Sequence, residues 1–158
     1  GNLTDRVLSK CATTTLVYRP SQPLSTIKRY IVVVPPRAER EIGFPYWVIR
    51  IWNIAKNSSS KIIFYADASV LSVLQEVNAK HAVEVEFNEF ADWDDFLIMS
   101  REIKSDDTLW VVMSRRERLS YHANMSRIPN YLNKYFQSNS FVLVYPIQAG
   151  ETNNRYLV

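Results

Sequence analysis

Arginine side chains are concentrated in two loops, each of which directly follows an apolar, strand-like run. One loop follows "RYIVVV" and the other follows "TLWVVM", and each precedes a predicted helix. Guanidinium groups beside the unpaired backbone N–H groups of a helix N-terminus can hold an anion. The chemistry that these loops offer is therefore binding of a phosphate-like anion. The candidate site residues are Arg37, Arg40, Ser114, Arg115, Arg116 and Arg118.

Acidic residues interrupt both loops and favour a second interpretation. Glu39 and Glu41 stand beside Arg37 and Arg40, and Glu117 stands among the later arginines. Exposed Arg–Glu pairs would satisfy these charges and contribute little to stability. Two interpretations therefore remain open: a bound anion, or arginines that face solvent or a partner.

Strand-like and helix-like segments alternate along the chain. Apolar runs typical of strands occupy residues 29–36, 61–66, 82–90, 108–113 and 140–147. Strands joined by helices of this length are parallel, with right-handed crossovers. The sequence therefore predicts an α/β fold with a doubly wound, parallel, five-stranded sheet.

Apolar patterning predicts the order of the strands. Runs 29–36 and 108–113 are apolar throughout, which is typical of central strands, whereas 82–90 alternates as an edge strand does. The order 3-2-1-4-5 satisfies these constraints. It leaves 140–147 as an apolar edge that needs cover. The candidates are residues 14–18, as an extra edge strand, or a second copy of the chain.

Four helices are expected between these strands. Apolar spacing predicts a helix from Phe44 to Ala55 and one over 128–136 that buries Tyr131 and Tyr135. Asp67 or Ser69 is the candidate N-cap of the helix after 61–66, and acids in the first turn favour a helix over 92–103. The tryptophans are expected in the core: Trp47, Trp52, Trp93 and Trp110.

Length and charge bound the domain organisation and the partners. The 158 residues suffice for one domain, over 29–147, with an N-terminal arm over 1–28 and a tail over 148–158. A net charge of +3 is too small to indicate nucleic acid as a partner. Residues 1–29 carry five basic residues against one acid, which fits a solubilising arm or a segment just inside a membrane.

Groups suited to catalysis are widely separated in the sequence. His81, His122 and the single cysteine, Cys11, show no metal-ligand spacing and no nucleophile–base pairing. One cysteine excludes an internal disulfide and favours a reducing compartment. We therefore expect no enzyme activity, no metal and no cofactor.

The order of elements over residues 29–147 resembles a universal stress protein domain, which has a Rossmann-like fold. Nucleotide-binding members of that family carry G-x2-G-x9-G-[ST] after the fourth strand and an acidic residue after the first. Here these places hold "SRRERLSYHANMS" and "VVVPPRAE", without the glycines and the acid. The family's ATP-binding residues therefore cannot be carried over. The related adenine-nucleotide hydrolases carry an SGGxDS-like loop where this chain has "PPRAER".

Three longer stretches resemble a more specific family. "IKRYIVVVPPRAEREIGFPYWVIRIWNIAK", "EFADWDDFLIMSREIKSDDTLWVVMSRRERLSYHANMSRIPNYLNKYF" and "SFVLVYPIQ" are similar to the cytosolic C-terminal domain of sodium/proton antiporters of the monovalent cation:proton antiporter-2 family, as in Bacteroides-like bacteria.

The resemblance implies a non-enzymatic regulatory or assembly domain at the cytoplasmic face of the bacterial inner membrane. Its implied partners are the transmembrane exchanger of the same polypeptide and a second copy in a homodimer. The alternatives are a domain that senses a nucleotide or another anion, and a soluble stress-response dimer with no link to a membrane.

Overall fold

The backbone forms one mixed six-stranded sheet with helices on both faces. A computed structural model describes residues 14–90, 92–114, 121 and 123–147. The strands are β1 (Thr15–Arg19), β2 (Arg29–Val33), β3 (Lys61–Ala66), β4 (Val85–Glu89), β5 (Asp107–Val112) and β6 (Ser140–Tyr145). The helices are α1 (Phe44–Ser58), α2 (Ala68–Lys80), α3 (Phe96–Met99) and α4 (Ile128–Tyr135). Short 3-10 turns occupy Leu24–Thr26, Ala38–Arg40, Trp93–Asp95, Ser100–Glu102 and Ala123–Arg127.

The strand order is β1-β6-β5-β2-β3-β4, with β1 antiparallel to β6 and every other pair parallel. The sheet has six strands where five were predicted, so the strand count and the numbered order differ from the prediction 3-2-1-4-5. The five predicted strands, β4-β3-β2-β5-β6 here, still lie side by side in that relative order, and the sixth is the candidate edge strand at 14–18. The difference arises because β1 is a full strand that comes first in the chain and adds to the edge. β1 covers β6, so that edge does not need a second copy of the chain.

Successive residues of the central strands contribute to two separate cores. Tyr30 and Val32 of β2 pack with α1 and α2 on one face. Ile31 and Val33 pack with α3 and α4 on the other. This alternation produces two helical layers with the sheet between them, an arrangement compatible with a Rossmann-like α/β fold.

Helix α1 buries the face that its apolar spacing predicts. Its buried residues are Phe44, Trp47, Val48, Ile51, Trp52 and Ala55. Gly43 is the N-cap, and the helix ends at Ser59, whose φ of 55° places it in the left-handed region. A left-handed residue after the last turn is a common way for a helix to end.

The local signals for α2 and β4 are also confirmed. The Asp67 carboxylate accepts a hydrogen bond of 3.0 Å from the Val70 N–H and so caps α2. In β4, Val85 and Phe87 are half-buried, whereas Glu86 is exposed, as expected of an edge strand with one face exposed to solvent.

The predicted helix over 92–103 is only partly correct, because residues 93–102 are helical but only Phe96–Met99 form an α-helix. The segment contains two 3-10 turns around the four residues of α3. Among the side chains that the structure describes in this segment, the buried ones are Trp93, Phe96 and Met99, three residues apart. A spacing of three matches the 3-10 period and not the 3.6 residues of an α-helix.

The buried face predicted for α4 is only partly correct. Ile128, Leu132 and Phe136 are buried, whereas Tyr131 is half-buried and Tyr135 is exposed. The two tyrosine rings pack edge to face against each other, and Tyr131 also packs against the core. All four tryptophans are buried, as expected.

A partly buried ion pair joins the two central strands at their first residues. The Arg29 Nε donates to Asp107 Oδ1 at 2.8 Å, and its Nη2 donates to Oδ2 at 2.5 Å. The Lys104 N–H also donates to Oδ2, at 2.8 Å. Asp107 is buried, and the hydrogen bond to its carboxylate raises the pKa of Arg29. The pair therefore holds β2 and β5 in the register that places Arg29 opposite Asp107.

Arg29→Met is expected to lower the free energy of unfolding by about 3 kcal/mol, because it leaves the Asp107 carboxylate buried without its cation. Arg29→Met combined with Asp107→Asn should recover about half of the loss, since the amide is neutral and can still accept from Lys104. Urea unfolding measures both changes. Lys28→Ala, at an exposed neighbouring site, is the control. An Arg29→Met variant as stable as that control would contradict the assigned role of the pair.

Candidate functional site

The crevice of such a sheet lies beyond the carboxyl ends of β2 and β5. On the β2 side the chain passes through Pro35 and Pro36 into the 3-10 turn 38–40. Arg37 and Arg40 are exposed there, and Ala38 is buried in the core. Arg37 has a φ of 67°, in the left-handed region.

Much of the backbone of this loop hydrogen-bonds within the loop itself. The N–H groups of Ala38, Arg40 and Glu41 donate to the carbonyls of Pro35, Arg37 and Ala38, at 3.3, 3.0 and 3.0 Å. The two prolines have no N–H group. A phosphate loop needs several backbone N–H groups that point at the ligand. An anion on the β2 side would therefore depend on the guanidinium groups.

The β5 side contributes one described candidate. The Met113 N–H donates to the Val144 carbonyl at 2.7 Å, which extends the pairing with β6, and Ser114 is buried behind it. The structure therefore places Arg37, Arg40 and Ser114 beyond the carboxyl ends of adjacent strands. The remaining candidates lie outside the described residues: Arg115, Arg116 and Arg118.

Gly43 is required by a close approach of two backbone segments at the start of α1. A Cβ at this position would lie 2.5 Å from the Ile147 carbonyl oxygen and 2.6 Å from the Ile147 nitrogen. The Ile147 N–H in turn donates to Thr14 Oγ1 at 3.1 Å. These contacts fasten the start of α1 to the chain that follows β6.

The described residues contain no group of three or more His, Cys, Asp and Glu side chains that could hold a metal ion. His81 follows α2, at the end of the domain opposite the crevice, and its carbonyl accepts from Trp52 Nε1 at 2.8 Å. Cys11 and His122 lie outside the described residues. In the described part of the chain, no helix has the length and apolarity needed to span a membrane.

The outward side of α1 carries apolar residues that the sequence analysis did not single out. Tyr46 and Ile49 are 62% and 59% exposed, and the nearby Leu24 is 61% exposed. These three side chains line a groove of about 640 Å³ together with Arg50 and Tyr30. Burial raises the pKa of Tyr30. A signal was present in the sequence, because Tyr46 and Ile49 are apolar but fall outside the spacing of the buried face.

Comparisons with protein-family models, with curated proteins and with solved structures return no match for this chain. The resemblances described above therefore remain predictions.

Gly43→Ala should destabilise the fold by about 1–3 kcal/mol, because backbone atoms of residue 147 must move to admit the methyl group. Ile42→Ala, a truncation of the exposed neighbouring side chain, should change stability by less than about 1 kcal/mol. Thermal unfolding followed by circular dichroism compares the two variants. If Gly43→Ala unfolds at the wild-type temperature, the close approach does not constrain the fold.

Proposed function

We propose that the chain is a non-enzymatic regulatory or assembly domain of a membrane sodium (cation)/proton antiporter, with a universal stress protein-like fold. The observation that carries the proposal is the loop after β2. The loop follows a central strand of a Rossmann-like sheet, but it carries two prolines, and the N–H groups of Ala38, Arg40 and Glu41 donate within the loop. Such a loop has fewer backbone N–H groups for a nucleotide phosphate than a glycine-rich loop has, which favours protein contacts.

The proposed partner is the transmembrane exchanger of the same polypeptide, which places the domain at the cytoplasmic face of the bacterial inner membrane. The domain would act by a population shift, with its contacts favouring one state of the exchanger. A coupling free energy of about 1–3 kcal/mol is sufficient for such control. The exposed Arg37 and Arg40 are the proposed contact residues on the crevice side.

Self-association remains part of the proposal, although β6 no longer supports it. β1 pairs with β6, and Val142 and Val144 pack in the core, so they do not form a dimer contact. A homodimer would have to use another surface of the domain, or the exchanger itself.

The double variant Arg37→Glu with Arg40→Glu reverses the charge of both crevice arginines. We expect it to shift the cation concentration for half-maximal exchange by about fivefold or more, because fivefold is the lower limit of a typical coupling between two sites. The measurement is cation-dependent collapse of a pH gradient in everted membrane vesicles that contain the full polypeptide. Removal of the domain should shift the same midpoint at least as far.

Arg101→Glu is the matched control, because this exposed arginine precedes β5, at the end of the domain opposite the crevice. It should leave the midpoint unchanged, and circular dichroism should show that every variant is folded. Equal midpoints for the crevice variant and the wild type would contradict the role of the arginines. A reading frame without a membrane exchanger would refute the proposal as a whole.

A second candidate function is an anion sensor in which arginines replace the glycine loop. The exposed positions of Arg37 and Arg40, with Ser114 beyond the adjacent strand, favour it. The two functions differ in their expected affinity for nucleotides.

If the domain acts only through protein contacts, calorimetry should detect no binding of ATP, AMP or cyclic dinucleotides at about 1 mM. At that concentration, calorimetry would detect even a binding free energy of about −4 kcal/mol. Saturable binding that Arg37→Glu weakens tenfold or more would favour the sensor instead. Arg101→Glu again controls for non-specific loss of positive charge.

A further inference from the structure

The face of the sheet under α1 and α2 is covered incompletely. Six strands at about 4.8 Å spacing make a sheet roughly 24 Å wide, and one helix with its side chains covers about 10 Å. In the described part of the chain, α1 and α2 are the α-helices on this face. They leave a strip over β1, where Leu16 is half-buried and Tyr18 is exposed.

The uncovered strip borders a groove that follows α1. At one end, a cavity of about 500 Å³ is lined by Thr14, Leu16, Tyr46, Arg50 and Ile147. The cavity of about 640 Å³ beside Leu24 and Ile49 shares Tyr46 and Arg50 with it. The two cavities adjoin at Tyr46 and Arg50, and together we call them the α1 groove.

The α1 groove carries a single sign of charge. Arg50 is the one charged side chain among the described residues that line it. Arg50 is exposed and makes no ion pair with a described residue. Polar side chains, among them Asn53 and Asn57, line the groove beside the apolar ones. Exposed apolar residues rimmed by polar residues commonly mark interaction sites. A complementary occupant combines an apolar stripe with a carboxylate.

We propose that the α1 groove binds an amphipathic helix of a partner polypeptide. The helix lies beside α1, over β1, and takes the place of a third helix on this face. Its apolar side chains, spaced i, i+3/i+4 and i+7, pack on Leu24, Tyr46 and Ile49. A carboxylate of the helix pairs with Arg50.

Charge and shape favour this occupant over two others. A second copy placed on the same groove by a two-fold axis would add another Arg50 and no carboxylate, so like charges would meet. A lipid surface would contact the outermost side chains and leave the floor of the groove at Leu16 unfilled. The inference depends on the groove alone and does not require the transporter assignment.

Two synthetic helical peptides of about 15 residues, the length at which isolated helices become stable enough to test, can serve as probes. They share one leucine stripe, but one has glutamate beside the stripe and the other has lysine. Fluorescence anisotropy of labelled peptide measures the affinity, and amide chemical shifts locate the contact. We expect the glutamate peptide to bind at least tenfold more tightly, and we expect Arg50→Glu to reverse the preference.

Ile49→Asp should abolish binding of the glutamate peptide. Ile98→Asp is the matched control, because Ile98 is also 59% exposed and lies on the other face of the sheet. It should leave the affinity unchanged. The proposal is overturned if neither peptide binds at about 1 mM, or if Arg50→Glu does not change the preference.

Two further measurements distinguish the other occupants. Sedimentation that shows a wild-type dimer and an Ile49→Asp monomer would assign the groove to a second copy and overturn the proposal. Binding to phosphatidylglycerol vesicles that Ile49→Asp removes would assign it to a membrane, with the same consequence. A monomer that does not bind these vesicles supports the helix.

Discussion

The ion pair between the half-buried Arg29 and the buried Asp107 fixes the relative position of the two strands on which the rest of the domain is built. Both strands carry apolar side chains on both faces. A shift of one strand along the other would therefore still bury apolar side chains, and the hydrophobic pattern alone does little to specify the register. A slip of one residue would exchange the side chains that face the two helical layers. It would also separate the Asp107 carboxylate, which is almost fully buried, from the guanidinium. The pair therefore makes other registers costly, and it aligns the carboxyl ends of β2 and β5, where the crevice lies.

The same end of the sheet anchors β1. The Arg19 Nη2 donates to the Phe136 and Asn139 carbonyls, and its guanidinium lies 4.3 Å from the centre of the Phe141 ring. Asn139 in turn donates to the Lys104 carbonyl at 2.7 Å, close to the ion pair. One polar network thus links β1, β6 and β5 at this end of the sheet. It also explains the α1 groove, because β1 widens the sheet by one strand without bringing a helix to cover it.

The sequence was informative where a local pattern decides the structure. The six buried residues of α1, the Asp67 cap and the alternation of β4 depend on spacing or on a single side chain. Two helix predictions were only partly correct. Over 92–103, the acids typical of a helix start favoured an α-helix, although the spacing of three in Trp93, Phe96 and Met99 is typical of a 3-10 helix. In α4, the face that packs on the sheet is narrower than the apolar pattern suggests, so Tyr135 is exposed. Likewise, "PPRAERE" does not reveal that the N–H groups of Ala38, Arg40 and Glu41 bond within the loop, because this depends on the path of the backbone through the left-handed Arg37.

That left-handed backbone bears on the interpretation of the crevice. A φ of 67° is readily adopted by glycine, whereas other residues bear a cost of about 1–2 kcal/mol. At this bend the chain carries an arginine. The bend directs the chain from β2 into the turn that buries Ala38, and it leaves the Arg37 side chain exposed at the rim. The backbone of Arg37 and the burial of Ala38 together therefore fix where the loop leaves β2, and this sets the place of both arginines at the rim of the crevice.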